Sequence, residues 1–215
     1  MMPFIKVLVN IAVFSVLVPL AVGLYQWHKG GKLVAKLVLL YVCFLVVVEG
    51  LGYYLGARKI NNLWLSHVYI PIEYALLSLI YYFVFDNKTV RWVLSVSVVL
   101  FALFCVYDVF YIESMLTFNS YPRTVESALL IALALMYFNK VFQDLDKLYL
   151  ERDPVFLLSA GIIIYFAGSV TFYGLVNKMM AQSQEQTRLL LSIIYVLNFG
   201  FNMLLATVLW RAPRQ

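Results

Sequence analysis

The chain has 215 residues, of which 64% are hydrophobic and 13% are charged, and its mean hydropathy is +0.88. Soluble domains carry about a quarter charged residues, so this chain lacks the polar surface that a globule in water needs. The composition therefore excludes a soluble enzyme and a nucleic-acid partner. We interpret the net charge of +5 as a consequence of membrane topology.

Seven continuous apolar runs have the length of a transmembrane helix. In lipid the backbone must satisfy its own hydrogen bonds, and alternation typical of a transmembrane barrel is missing from these runs, which favours helices. We expect the first run to be a retained helix rather than a signal peptide, since it is long and its charged region is one lysine. The prediction is an all-α integral membrane protein whose residues 1–215 form one seven-helix transmembrane domain. The predicted spans are 4–25, 33–56, 65–85, 92–112, 121–142, 155–175 and 188–210.

The distribution of lysine and arginine predicts the orientation of the chain. One side of the membrane would hold ten of these residues: Lys29, Lys32, Lys36, Lys88, Arg91, Lys140, Lys147, Arg152, Arg211 and Arg214. The other side would hold six: Lys6, Arg58, Lys59, Arg123, Lys178 and Arg188. Because the cytoplasmic loops of membrane proteins are enriched in lysine and arginine, we expect the N-terminus outside and the C-terminus in the cytoplasm. The expected location is a bacterial inner (plasma) membrane. Four tryptophans fall at predicted span ends, as an aromatic belt requires: Trp27, Trp64, Trp92 and Trp210.

Four carboxylates lie inside consecutive predicted spans: Glu49, Glu73, Asp108 and Glu126. From the helical rise of 1.5 Å per residue, Glu49 and Glu73 lie roughly 12 Å below the outer boundary, and Asp108 and Glu126 roughly 7 Å below it. An ionisable group in a span is costly and indicates function by default. The sequence therefore predicts an outward-facing acidic pocket that binds a small ligand or a cation, or that carries protons.

Polar neighbours extend this predicted pocket. Arg123 precedes Glu126 by three positions, a spacing that suits an ion pair on one helix face, although an interfacial cation is the alternative. Pro71 interrupts the hydrogen bonding of its helix two residues before Glu73 and would shape the pocket wall. The predicted ligand-binding residues are Glu49, Glu73, Asp108, Glu126, Arg123, Tyr69, Tyr111, Asn198 and Asn202.

A weak internal repeat is present in the spans that carry the acids. The pattern E, NN and PIEYALLSLIYYF (49–83) resembles D, N and PRTVESALLIALALMYF (108–138), and the last two spans give a fainter copy without an acid at the position of the glutamate. The repeat predicts one helix followed by three helical hairpins, with chance similarity between apolar helices as the alternative.

No cofactor is expected from the sequence. A retinal protein of the microbial rhodopsin type needs a lysine in its last helix, and none lies between Leu189 and Trp210. Seven-helix zinc hydrolases need about three intramembrane histidines, whereas this chain has only His28 and His67. We therefore expect neither retinal nor a metal.

Three classes of function agree with these features. The first is a receptor-like sensor, which needs a separate cytoplasmic partner protein, or a proton- or ion-coupled transporter, for which Asn198 and Asn202 are the obvious polar steps inward. The second is an intramembrane enzyme that acts on a lipid or isoprenoid, with Glu73 or Asp108 as general acid. The third is a structural subunit of a larger membrane complex, whose acids pair with cations on partner helices.

Overall fold

The computed structural model describes residues 3–27, 32–143, 150–182 and 184–212. Over these residues it contains helices and no strands, and seven segments are long and apolar enough to cross a membrane. The predicted all-α seven-helix membrane fold is confirmed. The helices are α1 (Pro3–Ser15), α2 (Leu17–Trp27), α3 (Leu33–Ala57), α4 (Trp64–Val84), α5 (Lys88–Tyr111), α6 (Ser120–Gln143), a 3₁₀ turn (Leu150–Arg152), α7 (Pro154–Gln182) and α8 (Gln184–Arg211).

The first span is broken rather than continuous, because α1 ends at Ser15 and α2 begins at Leu17. Pro19 explains the break. It has no N–H to donate to the carbonyl of Ser15 four residues earlier, and its ring crowds that turn. The next backbone bond, from Leu20 N to Val16 O at 3.3 Å, is already long.

The predicted spans 155–175 and 188–210 agree with the stretches that are long and apolar enough to cross a membrane, Pro154–Tyr173 and Leu189–Arg211, but the helices themselves extend into the polar segment between them. Helix α7 continues to Gln182 and α8 begins at Gln184. Polar helix formers such as Gln and Glu stay helical beyond the apolar stretch, so a drop in hydropathy does not mark a helix end.

The spans pack as a ring. Contacts join α2 to α3, α3 to α4, α4 to α6, α6 to α7, α7 to α8, and α8 back to α1 and α2. Helix α5 packs beside this ring against α4 and, less extensively, α6. Loops 58–63 and 112–119 lie at one end of the bundle, which we call the pocket face, and loop 85–87 lies at the opposite face.

Small residues allow α7 and α8 to approach closely. A Cβ on Gly161 would lie 2.7 Å from Leu204, and one on Gly168 would lie 2.8 Å from Leu197. The pair Gly52 and Gly56 has a different role. Its nearest neighbours include the side chain of Asn62 in the following loop, which donates to the carbonyl of Gly52 at 3.1 Å.

The interfacial residues agree with the predicted spans. Trp27 ends α2, Trp64 begins α4 and Trp210 lies next to the end of α8, and all three are exposed. Trp92 lies one turn inside α5, since that helix begins at Lys88. Of the residues used in the sequence argument, Lys29, Lys147, Arg214 and His28 lie outside the described residues. The orientation in the membrane stays a prediction.

Candidate functional site

The centre of the site is a buried arginine between two glutamates. Arg123, at the start of α6, donates from Nη1 to Glu73 Oε2 of α4 and, at 2.7 Å, to Glu126 Oε2 one turn along its own helix. Exposure of the three side chains is 1%, 3% and 0%, respectively, so solvent does not screen the pairs. The predicted ion pair of Arg123 with Glu126 is confirmed, and the alternative of an interfacial cation is wrong.

Two tyrosines complete the hydrogen bonding of this triad. Tyr41 of α3 donates its hydroxyl hydrogen to Glu73 Oε1 at 2.6 Å, and Arg123 Nη2 donates to the hydroxyl oxygen of Tyr165 on α7 at 3.1 Å. Helices α3, α4, α6 and α7 are therefore joined through one guanidinium. Arg123 Nε and Glu126 Oε1 are buried without a hydrogen-bond partner.

Four aromatic rings enclose the guanidinium. Its Cζ lies 4.9 Å from the ring centre of Phe166, 5.3 Å from Tyr173, 5.6 Å from Tyr165 and 5.7 Å from Tyr69. These distances are within the range of cation–π attraction, which is stronger where water is excluded. Arg123 thus occupies a complete cation site of its own, and an added anion would have to displace carboxylates that already hold it.

A cavity of about 240 Å³ lies beside the triad. Loop residues Asn62, Leu63 and Phe118 form part of its wall, so the cavity reaches the pocket face of the bundle. The helical part of the wall contains polar and aromatic side chains from α3, α4, α6, α7 and α8: Tyr41, Glu49, Ser66, Tyr69, Glu73, Arg123, Tyr165, Tyr173, Asn198 and Phe201.

Glu49 has a different environment from the triad, since it is half-buried and lines the cavity. Its Oε1 accepts a hydrogen bond from Asn198 Nδ2 at 3.2 Å. Asn198 Oδ1 in turn accepts from Asn202 Nδ2 at 3.3 Å, and the same Nδ2 donates to Ser15 Oγ at 2.7 Å. We call Glu49, Asn198, Asn202 and Ser15 the asparagine chain, because it leads from the cavity into the bundle.

The charges in this region do not balance. Glu49, Glu73 and Glu126 surround a single described cation, Arg123, so two negative charges lack a paired cation when all three acids are ionised. Each of the two triad carboxylates contacts the guanidinium, whereas Glu49 accepts one hydrogen bond from a neutral amide. In a low-dielectric cavity, unpaired negative charge is costly and favours a bound cation or a proton.

The structure does not bring all four predicted carboxylates together. Asp108 is buried on α5, where neither carboxylate oxygen has a hydrogen-bond partner, and it does not line the cavity. Tyr111 is 76% exposed at the end of α5 and stacks on Tyr107, with ring centres 4.8 Å apart. Both residues belong to α5, the helix beside the ring. This position explains why Asp108 does not line the cavity, although it was predicted at the same depth as Glu126.

Other features of the sequence have structural roles. The Nε2 atom of His67, near the start of α4, lies 3.4 Å from Thr117 O of the neighbouring loop. Pro71 is inside α4, which continues through it, and it leaves the carbonyl of His67 without the usual amide donor. The internal repeat stays a prediction, although its equivalent glutamates, Glu73 and Glu126, contact the same guanidinium.

Three tyrosines of the site were not identified from the sequence: Tyr41, Tyr165 and Tyr173. A weak signal was present, because Tyr41 precedes Glu49 by eight residues and Tyr165 precedes Tyr173 by eight, a spacing that keeps each pair on one broad helix face. With 16 tyrosines in the chain, this spacing alone did not distinguish these from the others.

Among the described residues, no group of three or more His, Cys, Asp or Glu side chains is arranged to hold a metal ion. No protein-family model, curated protein or solved structure matches this chain. The fold defines the class of the protein, a polytopic seven-helix integral membrane protein.

Proposed function

We propose that the cavity binds a small organic ammonium ion, and that the protein is a membrane sensor or carrier for such ions. The observation that supports the proposal most strongly is the charge balance around Arg123. The two triad glutamates hold the guanidinium, whereas Glu49 presents a carboxylate to the cavity with no cation beside it among the residues whose side chains the structure describes.

The walls of the cavity favour an organic cation over a bare metal ion. Tyr69, Tyr165, Tyr173 and Phe201 contribute aromatic rings, whose faces attract ammonium groups and whose apolar bodies cover carbon atoms. One carboxylate with aromatic neighbours is a pattern that recognises an ammonium head group with a short apolar substituent.

The size of the cavity disfavours the enzymatic alternative. Pockets for drug-sized ligands are roughly 300–1,000 Å³, and the volume here is about 240 Å³. A lipid or isoprenoid chain would need more room than this. Glu73, one of the two general acids considered in that hypothesis, has both oxygens engaged by Tyr41 and Arg123, and the other, Asp108, does not line the cavity.

Of the two roles proposed for the protein, carrier and sensor, the asparagine chain favours the carrier. It leads from Glu49 through Asn198 and Asn202 to Ser15 on α1, where the first span is broken. Discontinuous helices are common where transporters bind ions. A purely sensory pocket does not need buried polar groups that lead away from it.

Thermal unfolding of the purified protein in detergent tests ligand binding. Benzylammonium is the probe, and phenylacetate, which has the same ring but the opposite charge, is its matched control. At 100 times its dissociation constant the cation should stabilise the protein by about 2.7 kcal/mol, which corresponds to a rise in Tm of roughly 5 °C or more. Phenylacetate should give no rise.

Two variants locate the binding. Glu49→Gln should weaken benzylammonium binding roughly 10- to 150-fold, the effect of losing one charge-assisted hydrogen bond. Asp108→Asn removes a buried carboxylate that does not line the cavity, and should bind as the wild type does. Equal stabilisation by phenylacetate, or unchanged binding in Glu49→Gln, would contradict the proposal.

Uptake into proteoliposomes separates carrier from sensor. A carrier accumulates radiolabelled benzylammonium inside vesicles that hold the wild-type protein, and Glu49→Gln vesicles do not. Saturable binding without accumulation would identify a sensor and would exclude transport of this probe.

A further inference from the structure

A groove of about 380 Å³ lies between α4 and α5. Apolar side chains and two serines form its wall: Ala75, Leu76, Ser78, Leu79, Tyr82, Leu94, Ser95 and Val98. Leu79 and Ser95 are exposed, so the groove opens on the side of the bundle that faces lipid. It follows α4 from Tyr82 to Ala75, which is about 10 Å of helix. A groove of this length and lining suits a hydrocarbon chain.

Basic side chains lie at the end of this groove next to the opposite face of the bundle. The guanidinium Cζ of Arg91 lies 5.5 Å from the ring centre of Tyr82, which belongs to the groove wall. Arg91 Nε donates to Phe85 O at 2.6 Å, whereas Nη1 and Nη2 make no hydrogen bond to the described residues. Lys88 is exposed one turn earlier in α5. This end of the groove therefore offers hydrogen-bond donors and positive charge.

The positive charge exceeds the negative charge at this end. The carboxylate beside Arg91 is that of Asp86, whose Oδ1 lies 4.0 Å from Arg91 Nη2 and whose Oδ2 accepts from Lys140 Nζ at 2.8 Å. Since Lys140 and Asp86 neutralise each other, the charges of Arg91 and Lys88 are available to an anion. The planar fork of a guanidinium matches the oxygens of a phosphate group, and basic residues beside membrane helices recognise anionic headgroups.

We infer that the groove between α4 and α5 is a binding site for one anionic phospholipid. Its phosphate contacts the terminal nitrogens of Arg91, with Lys88 beside it, and one acyl chain lies along the groove. Ser78 belongs to the wall one turn deeper than Tyr82, and its buried Oγ has no hydrogen-bond partner. In a phospholipid the ester carbonyls follow the phosphate after the glycerol backbone, so an ester carbonyl is the acceptor that suits this hydroxyl.

The lipid site is independent of the proposed function of the cavity, since no residue lines both. Thermal unfolding in a neutral maltoside detergent with added dioleoylphosphatidylglycerol tests it. The reference is digalactosyldiacylglycerol with the same acyl chains, which is uncharged and has no ammonium group for the cavity. Wild-type Tm should rise with the logarithm of the phosphatidylglycerol concentration, and at least about ten times more galactolipid should be needed for the same rise. Native mass spectrometry should show one retained phosphatidylglycerol per chain.

Arg91→Gln tests the position of the headgroup. It should need at least about five times more phosphatidylglycerol than the wild type for the same rise in Tm, the effect of losing one basic residue next to an anionic lipid. Arg58→Gln is the matched control, because Arg58 also lies over a tyrosine ring, with Cζ 5.0 Å from the ring centre of Tyr54, but at the pocket face. This variant should respond to phosphatidylglycerol as the wild type does.

Ala75→Phe tests the position of the acyl chain. Ala75 lines the groove, and an aromatic ring there would fill the space, so stabilisation by phosphatidylglycerol should be lost. Ala102→Phe is the control, because Ala102 is an exposed alanine of α5 that does not line the groove, and it should respond as the wild type does. Should Ala75→Phe fail to fold, the Arg91→Gln response and the lipid count of the wild type still decide.

Four results would overturn the inference. Equal rises in Tm with phosphatidylglycerol and galactolipid would exclude recognition of the anionic headgroup, and so would an unchanged response in Arg91→Gln. The same rise with glycerol 3-phosphate alone would identify an anion site that needs no acyl chain. A dimer of the wild type that Ala75→Phe dissociates in the absence of lipid would place a second copy of the chain in the groove.

Discussion

Removal of the Arg123 guanidinium should destabilise the protein severely. In Arg123→Met the carboxylates of Glu73 and Glu126 stay buried, at 3% and 0% exposure, but lose their shared cation. Removal of one partner from a buried ion pair costs about 3–5 kcal/mol, because the remaining charge is uncompensated. Here two charges are left and only the Tyr41 hydroxyl still donates to one of them, so we expect the upper part of that range.

The free energy of unfolding in detergent or bicelles, measured near neutral pH, provides the assay. Arg58→Met is the matched control, since Arg58 is an exposed arginine at the end of α3 that lies over the Tyr54 ring. Its loss should change stability by about 0.5 kcal/mol or less. A triple variant, Arg123→Met with Glu73→Gln and Glu126→Gln, should recover at least about 2 kcal/mol relative to Arg123→Met, since it leaves no charge buried.

Two results would refute this reasoning. A loss of less than about 1 kcal/mol in Arg123→Met would show that the triad is not a buried ion-pair network. A triple variant as unstable as Arg123→Met would show that the damage comes from lost packing and cation–π contact rather than from uncompensated charge.

Three further predictions concern packing, the opposite face and topology. Gly161→Val should lower the free energy of unfolding by about 1–3 kcal/mol, because the new side chain would meet α8. Gly200→Val should lower it by at most about 1 kcal/mol, because a Cβ on Gly200 meets nothing within 4 Å. Equal losses would exclude close packing as the reason. Lys140 Nζ donates to Asp86 Oδ2 at 2.8 Å and lowers the pKa of the Asp86 carboxyl. The ion pair therefore stabilises the folded protein above the ordinary aspartate pKa, and this stabilisation is lost as the pH falls through the lowered pKa. In Lys140→Met, ¹³C NMR titration should show the Asp86 pKa moved upward, and an unchanged pKa would exclude the ion pair as the cause. In a background without native cysteines, an impermeant maleimide applied to intact cells should label Asn61→Cys and not Asp86→Cys, and the reverse pattern would invert the predicted orientation.

The spans could be predicted from the sequence because hydropathy reports directly on the length of chain that lipid can cover. The prediction over 33–56 differs by one residue from helix α3, Leu33–Ala57. Breaks inside a span and helix extensions beyond it depend on backbone chemistry instead. Pro19 could have indicated the break in the first span, which was predicted as continuous over 4–25, whereas hydropathy alone does not indicate the polar start of α8.

The sequence allows the depth of the site residues in the membrane to be predicted, but not the rotation of each helix about its axis, which decides where their side chains point. The rise per residue predicted Glu73 roughly 12 Å and Glu126 roughly 7 Å below the outer boundary, and the two carboxylates contact the same arginine. The same count predicted Asp108 at the depth of Glu126, yet Asp108 does not line the cavity, because its helix α5 packs beside the ring. Which helices are neighbours, and which faces they turn toward one another, depends on tertiary packing that a single sequence does not encode locally.

The role of Arg123 illustrates the same limit. Arg123 was counted among the six basic residues predicted on the outer side of the membrane. In the structure its side chain is 1% exposed and lies inside the triad. Without Arg123, the side predicted to be outer would hold five loop or terminal cations instead of six, which would strengthen the predicted bias. Once Arg123 is paired with Glu73 and Glu126, Glu49 becomes the carboxylate with capacity for a ligand.

Equilibrium dialysis with radiolabelled benzylammonium, on the wild type and Glu49→Gln in parallel, measures whether Glu49 binds an organic cation. We predict one saturable site per wild-type chain, no competition by phenylacetate, and affinity roughly 10- to 150-fold weaker in the variant. Absence of saturable binding to the folded wild type, or equal affinity in Glu49→Gln, would contradict the claim that Glu49 holds a small organic cation in this cavity.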